Sequence, residues 1–251
     1  MAELRVGDRT FDIDVVVFDK DGTLIDFHLM WGSRAKEAVD ALLESAGGGS
    51  ALEAALYQTL GYQPATRASA GSGPLAVVPL HKTDVIVATV LFQHGWLWHE
   101  AEQLIADAFS PVMSSRPTAD MVKPLGAVRE TIERLNSHGV RTALATADDR
   151  DLTRETLDML EIHGHFELVY CGDDDHLPQK PSPRLLEEVA ERCQVETRRI
   201  MMVGDTVGDL SMAHAAGAGA RIGVRGGATD DQTLAKWSDV LISSIDEITI
   251  Y

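Results

Sequence analysis

Ile13-Asp14-Val15-Val16-Val17-Phe18-Asp19-Lys20-Asp21-Gly22-Thr23 decides the fold. Residues 13–18 predict a strand, and because residues 15–18 are apolar without alternation it is covered on both faces, as a central strand of a parallel sheet is. The run stops at Asp19 and Asp21, with Gly22 free to turn sharply. Acids two positions apart at a strand's carboxyl end can point into one crevice, where open parallel α/β sheets bind ligands. Alone, Asp-x-Asp-Gly is equally an ordinary turn or the start of a calcium loop. The calcium alternative fails here: a twelve-residue loop from Asp19 ends at Met30 where a glutamate is needed, and it follows a strand instead of a helix.

Working outward, further β-branched runs at 141–146, 167–171, 200–204 and 220–224 alternate with helical patterns, the layout of a parallel sheet with helices on both faces. Leu185, Leu186, Val189, Ala190 and Cys193 form one helical stripe, and Val128, Ile132 and Leu135 form another that ends near Gly139. Residues 4–6 and 10–13 flank Gly7-Asp8 and predict a hairpin that adds an antiparallel edge to the sheet. Residues 25–116 interrupt the alternation with mostly helical sequence, far more than a crossover needs, and so predict an inserted domain. In it, Ala35, Ala38, Val39, Leu42, Leu43 and Ala46 share one face, and Gly47-Gly48-Gly49 ends that helix. Ser50 and Glu53 fit a capping box for the next. Residues 61–79 predict a long Gly/Pro/Ser/Ala loop of the binding kind. Residues 84–92 fit strand or helix equally, and Ala101, Leu104, Ile105, Ala108 and Phe109 predict a closing amphipathic helix.

Three other strand ends carry chemistry. The second run ends at Thr146-Ala147, a hydroxyl and amides suited to phosphate oxygens at a helix start. Lys180-Pro181 follows the third run, and Gly204-Asp205-Thr206-Val207-Gly208-Asp209 follows the fourth. Singly these are a helix cap, a solvated lysine and acids complementing a helix dipole. Four such coincidences in this order, each after its own strand, are much rarer than any one.

Composition narrows the function. Lys plus Arg number 22 against 39 Asp plus Glu, a formal charge of −17, the wrong sign for gripping nucleic acid or anionic lipid. An anionic ligand must be held by local chemistry. Cys171 and Cys193 are too few for a disulfide framework and are expected to be buried hydrophobes. Residues 1–14 hold four acids and two arginines where a signal peptide is apolar, and no apolar run reaches transmembrane length. A soluble, cytoplasmic protein without a membrane partner is expected.

In that order, Asp-x-Asp-Gly-Thr, a strand-terminal Thr, Lys-Pro and Gly-Asp-x-x-x-Asp resemble the four motifs of the haloacid dehalogenase superfamily, most like its phosphoglycolate phosphatase-like branch. The resemblance implies a Rossmann-like three-layer core, residues 1–24 and 117–251, with strand order 5-4-1-2-3 and an α-helical cap at 25–116. It implies Asp19 as a nucleophile that forms an aspartyl-phosphate, and Asp21 as the acid that protonates the leaving oxygen and then the base that activates water. Asp19, the Asp21 backbone carbonyl and Asp205 would bind Mg²⁺, with Asp209 helping through water. Thr146, Ala147 and Lys180 would hold the phosphoryl group. The residues agree with that cation: carboxylates suit a hard divalent ion, and the four strand ends lack the His and Cys that zinc favours. Asp21 also argues against carbon–halogen cleavage, which has no alkoxide to protonate.

The expected partner is a small phosphorylated metabolite, with phosphoglycolate the leading guess. Arg67 or Lys82 could pair with its carboxylate. His28 and Trp31 are expected in the hinge, His94 and His99 at helix ends, and Asp173-Asp174-Asp175 in a solvated loop that could influence metal access. Two alternatives stand beside the phosphatase. A phosphosugar mutase would keep the same core motifs, and a silent phosphate-binding module would be free to lose Asp19 or Asp21.

Overall fold

A computed structural model describes residues 2–174 and 178–251; Asp175 therefore lies outside the described residues. The chain opens with β1 (Ala2–Val6), β2 (Arg9–Ile13) and β3 (Val15–Phe18). A helical region follows: α1 (Ser33–Ala46), α2 (Ser50–Leu60), the short strands β4 (Tyr62–Gln63) and β5 (Ala68–Ser69), α3 (Pro74–Val77), α4 (Leu80–Gln93), α5 (Trp98–Leu104) and α6 (Ser110–Met113). Next come α7 (Val128–Ser137), β6 (Arg141–Ala145), α8 (Arg150–Met159), β7 (Leu168–Tyr170), α9 (Arg184–Cys193) and β8 (Ile200–Gly204). The chain ends with α10 (Val207–Ala216), β9 (Ala220–Val224), α11 (Asp231–Leu234), β10 (Val240–Ile242) and β11 (Ile248–Ile250).

Six parallel strands form the main sheet in the order β10-β9-β8-β3-β6-β7, with β3 inside it as its unbroken apolar run requires. Val16 and Phe18 point to a cluster that contains Ile132 and Leu135 of α7, while Val15 and Val17 pack with Leu186 and Val189 of α9 and Met212 of α10. Period-two alternation thus spends every β3 side chain on one of two cores, each fully buried residue contributing about 1.5–3 kcal/mol. The order extends 5-4-1-2-3 by one strand at the β9 edge. β10, three residues between Asp239 and Ser243, is too short to carry a periodic signal in the sequence.

Other expectations need correction. The hairpin β1–β2 forms about Gly7, but it joins β11 in a separate antiparallel three-stranded sheet and does not edge the main one. Its alternate residues Leu4, Val6, Phe11 and Ile13 face the α7-side core, which anchors it there. Residues 84–92 belong to helix α4, whose Val87, Ala88, Val90 and Leu91 pack into the helical region's own cluster. Gly49 occupies the N-cap of α2 and Ser50 is its first helical residue, with no side-chain cap bond. Residues 61–79 hold the β4–β5 hairpin and α3 instead of a bare loop. Gly47, at φ +64°, ends α1 in the left-handed conformation as expected. No helix among the described residues is long and apolar enough to cross a membrane.

Candidate active site

Parallel register brings the chemistry to one edge of the sheet. Phe18 lies beside Leu144 on one side and Val203 on the other, so Asp19, Thr146 and Asp205 all emerge just past aligned strand ends. The Asp19 amide donates to the Val203 carbonyl at 2.9 Å, fixing the point of exit. The chain then turns at Gly22, whose φ of +85° only glycine adopts cheaply, and a Cβ there would stand 2.2 Å from an Asp205 carboxylate oxygen. Gly227 allows an equally close approach from the other side, 2.1 Å by the same measure, and the neighbouring Ala228 amide donates to Asp205 Oδ2 at 2.6 Å.

Lys180 reaches back from the loop before α9. Its Nζ donates to Asp19 Oδ1 and Asp209 Oδ1, each at 2.6 Å. Asp209 is fully buried as the third residue of α10, and its second oxygen accepts from the Thr206 amide and hydroxyl in a capping box. Thr146 is buried; its hydroxyl accepts from the Asp148 amide at 3.1 Å. Asp19, Asp21, Thr146, Ala147 and Lys180 all line one cavity of about 270 Å³.

Asp19, Asp205 and Asp209 offer carboxylate oxygens within 4.8 Å of one another. Burial raises the proton affinity of Asp19 to a pKa of about 7, with Asp209 and Asp21 adding repulsion and Lys180 opposing it. Burial, then Asp19 and Asp209, drives Asp205 well above the usual carboxylate range, and its Oδ1 is a buried oxygen without a hydrogen-bond partner. An orphaned oxygen in a cluster of mutually repelling acids fits a hard divalent cation. The Asp21 side chain stands apart from this cluster, bonded to Lys20.

A family model described as haloacid dehalogenase-like hydrolase matches residues 13–217. The chain belongs to that family. A phosphoglycolate phosphatase of Aquifex aeolicus is 30% identical over 122 residues, 49% of this chain and 51% of that protein, so the match spans about half of each. A phosphoglycolate phosphatase of Agrobacterium fabrum is 26% identical over 241 residues, covering 94% of this chain and 90% of the relative. Among crystal structures, a "predicted phosphoglycolate phosphatase" from Haemophilus somnus superposes with a TM-score of 0.66 at 16% identity, covering 93% of this chain and 95% of that one. CbbY from Rhodobacter sphaeroides in complex with phosphate gives 0.58 at 18%, covering 93% and 95%. At such identities these two structures speak for the fold of a haloacid dehalogenase-like hydrolase and no more.

Two further charged residues, Lys20 and Asp148, lie beside the motif acids. Lys20, between the two motif aspartates, is fully buried, and its Nζ bonds Asp21 at 2.8 Å and Asp148 at 2.9 Å. Burial alone would lower its proton affinity, yet Asp148 and Asp21 outweigh that and raise it. Burial in turn pushes Asp148 up to about 6 against the pull of Lys20. A lysine continuing a strand buried on both faces was the available signal, since such a charge must find a carboxylate.

The residues expected to read the substrate lie elsewhere. Arg67 is half-exposed and pairs with Asp26 at 3.5 Å, Lys82 is exposed, and neither lines the cavity. Trp31 does line it, while His28 opens the helical segment His28–Gly32 that runs into α1, its ring near those of Phe27 and Tyr62. His94 caps the end of α4 and His99 lies in the first turn of α5, as expected. Asp174 is not freely solvated: both its oxygens take the Arg150 guanidinium at 2.6 Å. Asp173 accepts from the Arg150 amide. Cys171 and Cys193 are buried free thiols, with Cys171 pushed by burial up to about 12.

Melting curves test the acid cluster. Asp19 binds a proton more tightly folded than unfolded, so between about pH 4 and 7 its contribution to the stability of the metal-free protein falls as pH rises, and Asp19→Asn should remove that part of the pH dependence. Cation binding should show the converse. At one hundred times its dissociation constant Mg²⁺ should add about 2.7 kcal/mol, raising the midpoint by roughly 5–10 °C at pH 8. At pH 5.5, where protons compete, the rise should shrink severalfold; an equal rise at both would place the cation elsewhere.

Proposed function

We propose that the protein is a Mg²⁺-dependent phosphatase acting on a small phosphate monoester through covalent catalysis at Asp19. The observation that carries this is the placement of Asp19, Asp21, Thr146 and Lys180 on the wall of one cavity, with Asp205 and Asp209 beside Asp19. Four motifs far apart in the chain converge as phosphoryl transfer requires. Membership in the family and relatives named as phosphoglycolate phosphatases support the same reaction class.

A phosphate dianion repels a carboxylate nucleophile, so the attacking oxygen of Asp19 needs positive charge nearby. Lys180 supplies one such charge and aims the Asp19 carboxylate. Asp19, Asp205 and the Asp21 carbonyl, with Asp209 helping through water, would hold Mg²⁺, which would neutralise the rest and orient the phosphoryl oxygens. An Asp19 oxygen attacks phosphorus, the ester P–O bond breaks, and the leaving oxygen takes both electrons and a proton from Asp21. In the second half Asp21 takes a proton from water, the water oxygen attacks the same phosphorus, and phosphate leaves as the Asp19 carboxylate is restored. Thr146 and the Ala147 amide hold the non-bridging oxygens throughout.

The test is steady release of inorganic phosphate from a panel of monoesters with Mg²⁺ and with chelator. Release that requires Mg²⁺ is expected. Turnover that requires a bisphosphate primer would instead identify a mutase, and no turnover with intact binding of phosphate would identify a silent module.

A further inference from the structure

The phosphoryl group accounts for only one end of the cavity. Besides the motif residues, the helical region lines the cavity with Phe27, Trp31, Leu75, Val78, Leu80 and Met113. Among the described residues Lys180 is the only cation on the cavity wall, and Asp19 and Asp209 already hold it. Arg34, the buried cation of α1, gives its terminal nitrogens to the carbonyls of Met113 and Ser115. Its guanidinium stacks 5.2 Å from the centre of the Trp31 ring without reaching the wall. Arg67 and Lys82 are outside, as described above.

Among the described residues, a carboxylate or second phosphate on the substrate would therefore meet no cation on the wall other than Lys180, in a chamber already carrying Asp19, Asp21 and Asp148, the last two of which also face the charge of Arg34 behind Trp31. An uncharged hydrocarbon body would bury itself against Phe27, Trp31 and Leu75 instead. The volume of about 270 Å³ falls just below the usual range for small-molecule sites, about 300–1,000 Å³, and suits a compact ester. Resting on the phosphatase reading, we propose that the substrate is a monophosphate of a compact, uncharged, apolar-bodied alcohol, and that the ring and aliphatic wall around Trp31, Leu75 and Val78 selects it.

Benzyl phosphate, isobutyl phosphate and 2-phosphoglycolate test this, because all three release an alkoxide and their comparison reports the wall more than the leaving group. With Mg²⁺ present, kcat/KM for the better of the two apolar esters should exceed that for 2-phosphoglycolate by at least about tenfold, since one or two methylene-sized contacts are worth about 10–200-fold. Val78→Lys, and separately Leu80→Lys, places a cation on the wall at half-buried positions, so one variant can fail to fold without loss of the test. Either folded variant should shift the ratio toward 2-phosphoglycolate by at least about tenfold. Equal or better wild-type turnover of 2-phosphoglycolate overturns the proposed substrate class and leaves the phosphatase standing. If no ester is hydrolysed above the rate of Asp19→Asn, the phosphatase reading falls and this proposal with it.

Discussion

Asp19→Asn should lower phosphate release by about 10⁴-fold or more while the protein remains folded. Asparagine keeps the shape of the side chain but removes the attacking oxygen's charge and one carboxylate of the cation cluster. Little fold stability should be lost, because Asp19 is a buried acid with proton affinity raised to about pH 7, and neutralising it relieves its repulsion with Asp205 and Asp209. Lys180 keeps Asp209 as a partner. The separation is the informative feature: turnover lost, melting curve of the metal-free protein retained. A variant within tenfold of wild type would mean that another group attacks phosphorus.

Lys20→Met should be the most destabilising single change at the site, by about 3–5 kcal/mol at pH 8. Methionine fills similar space without charge, stranding Asp148, whose side chain is 2% exposed, and releasing Asp21. Without Lys20 the proton affinity of Asp148 must climb above its present value of about 6, so the deficit should shrink as pH falls and the carboxyl is neutralised. Adding Asp148→Asn should recover part of the loss at pH 8, and the double-mutant cycle should report coupling between the two residues. Denaturant melts at pH 8 and pH 5 check both points. A loss under about 1 kcal/mol at pH 8 would show that the pair is as weak as a surface ion pair.

Much of this arrangement is legible in sequence because buried parallel strands announce themselves. Residues 200–204 and 220–224 appear as strands β8 and β9 without revision, and β3, β6 and β7 differ by one or two residues at their ends. Asp19, Thr146, Lys180, Asp205 and Asp209 could be placed because each follows such a strand, and strand ends in a parallel sheet share an edge. What stayed hidden depends on tertiary context. The destination of the β1–β2 hairpin is set by β11, some 240 residues along the chain, which no local pattern encodes. Residues 84–92 are β-branched enough for a strand, and only packing of Val87 and Leu91 in the helical cluster decides for α4. Arg67 and Lys82 looked plausible as anion readers because sequence shows charge but not direction. Lys20 is hidden for the opposite reason: flanked by two acids in sequence, it carries no local sign that it joins the first strand end to Asp148 after the second.

The central claim is covalent attack by Asp19. Acid quenching during turnover of a monoester with Mg²⁺, followed by peptide mass spectrometry, tests it most directly. The account predicts one added phosphoryl group on the peptide that contains Asp19, labile to alkali and missing in Asp19→Asn. Full turnover with no phosphoryl adduct under any quench, or an adduct on another residue that persists in Asp19→Asn, would contradict it.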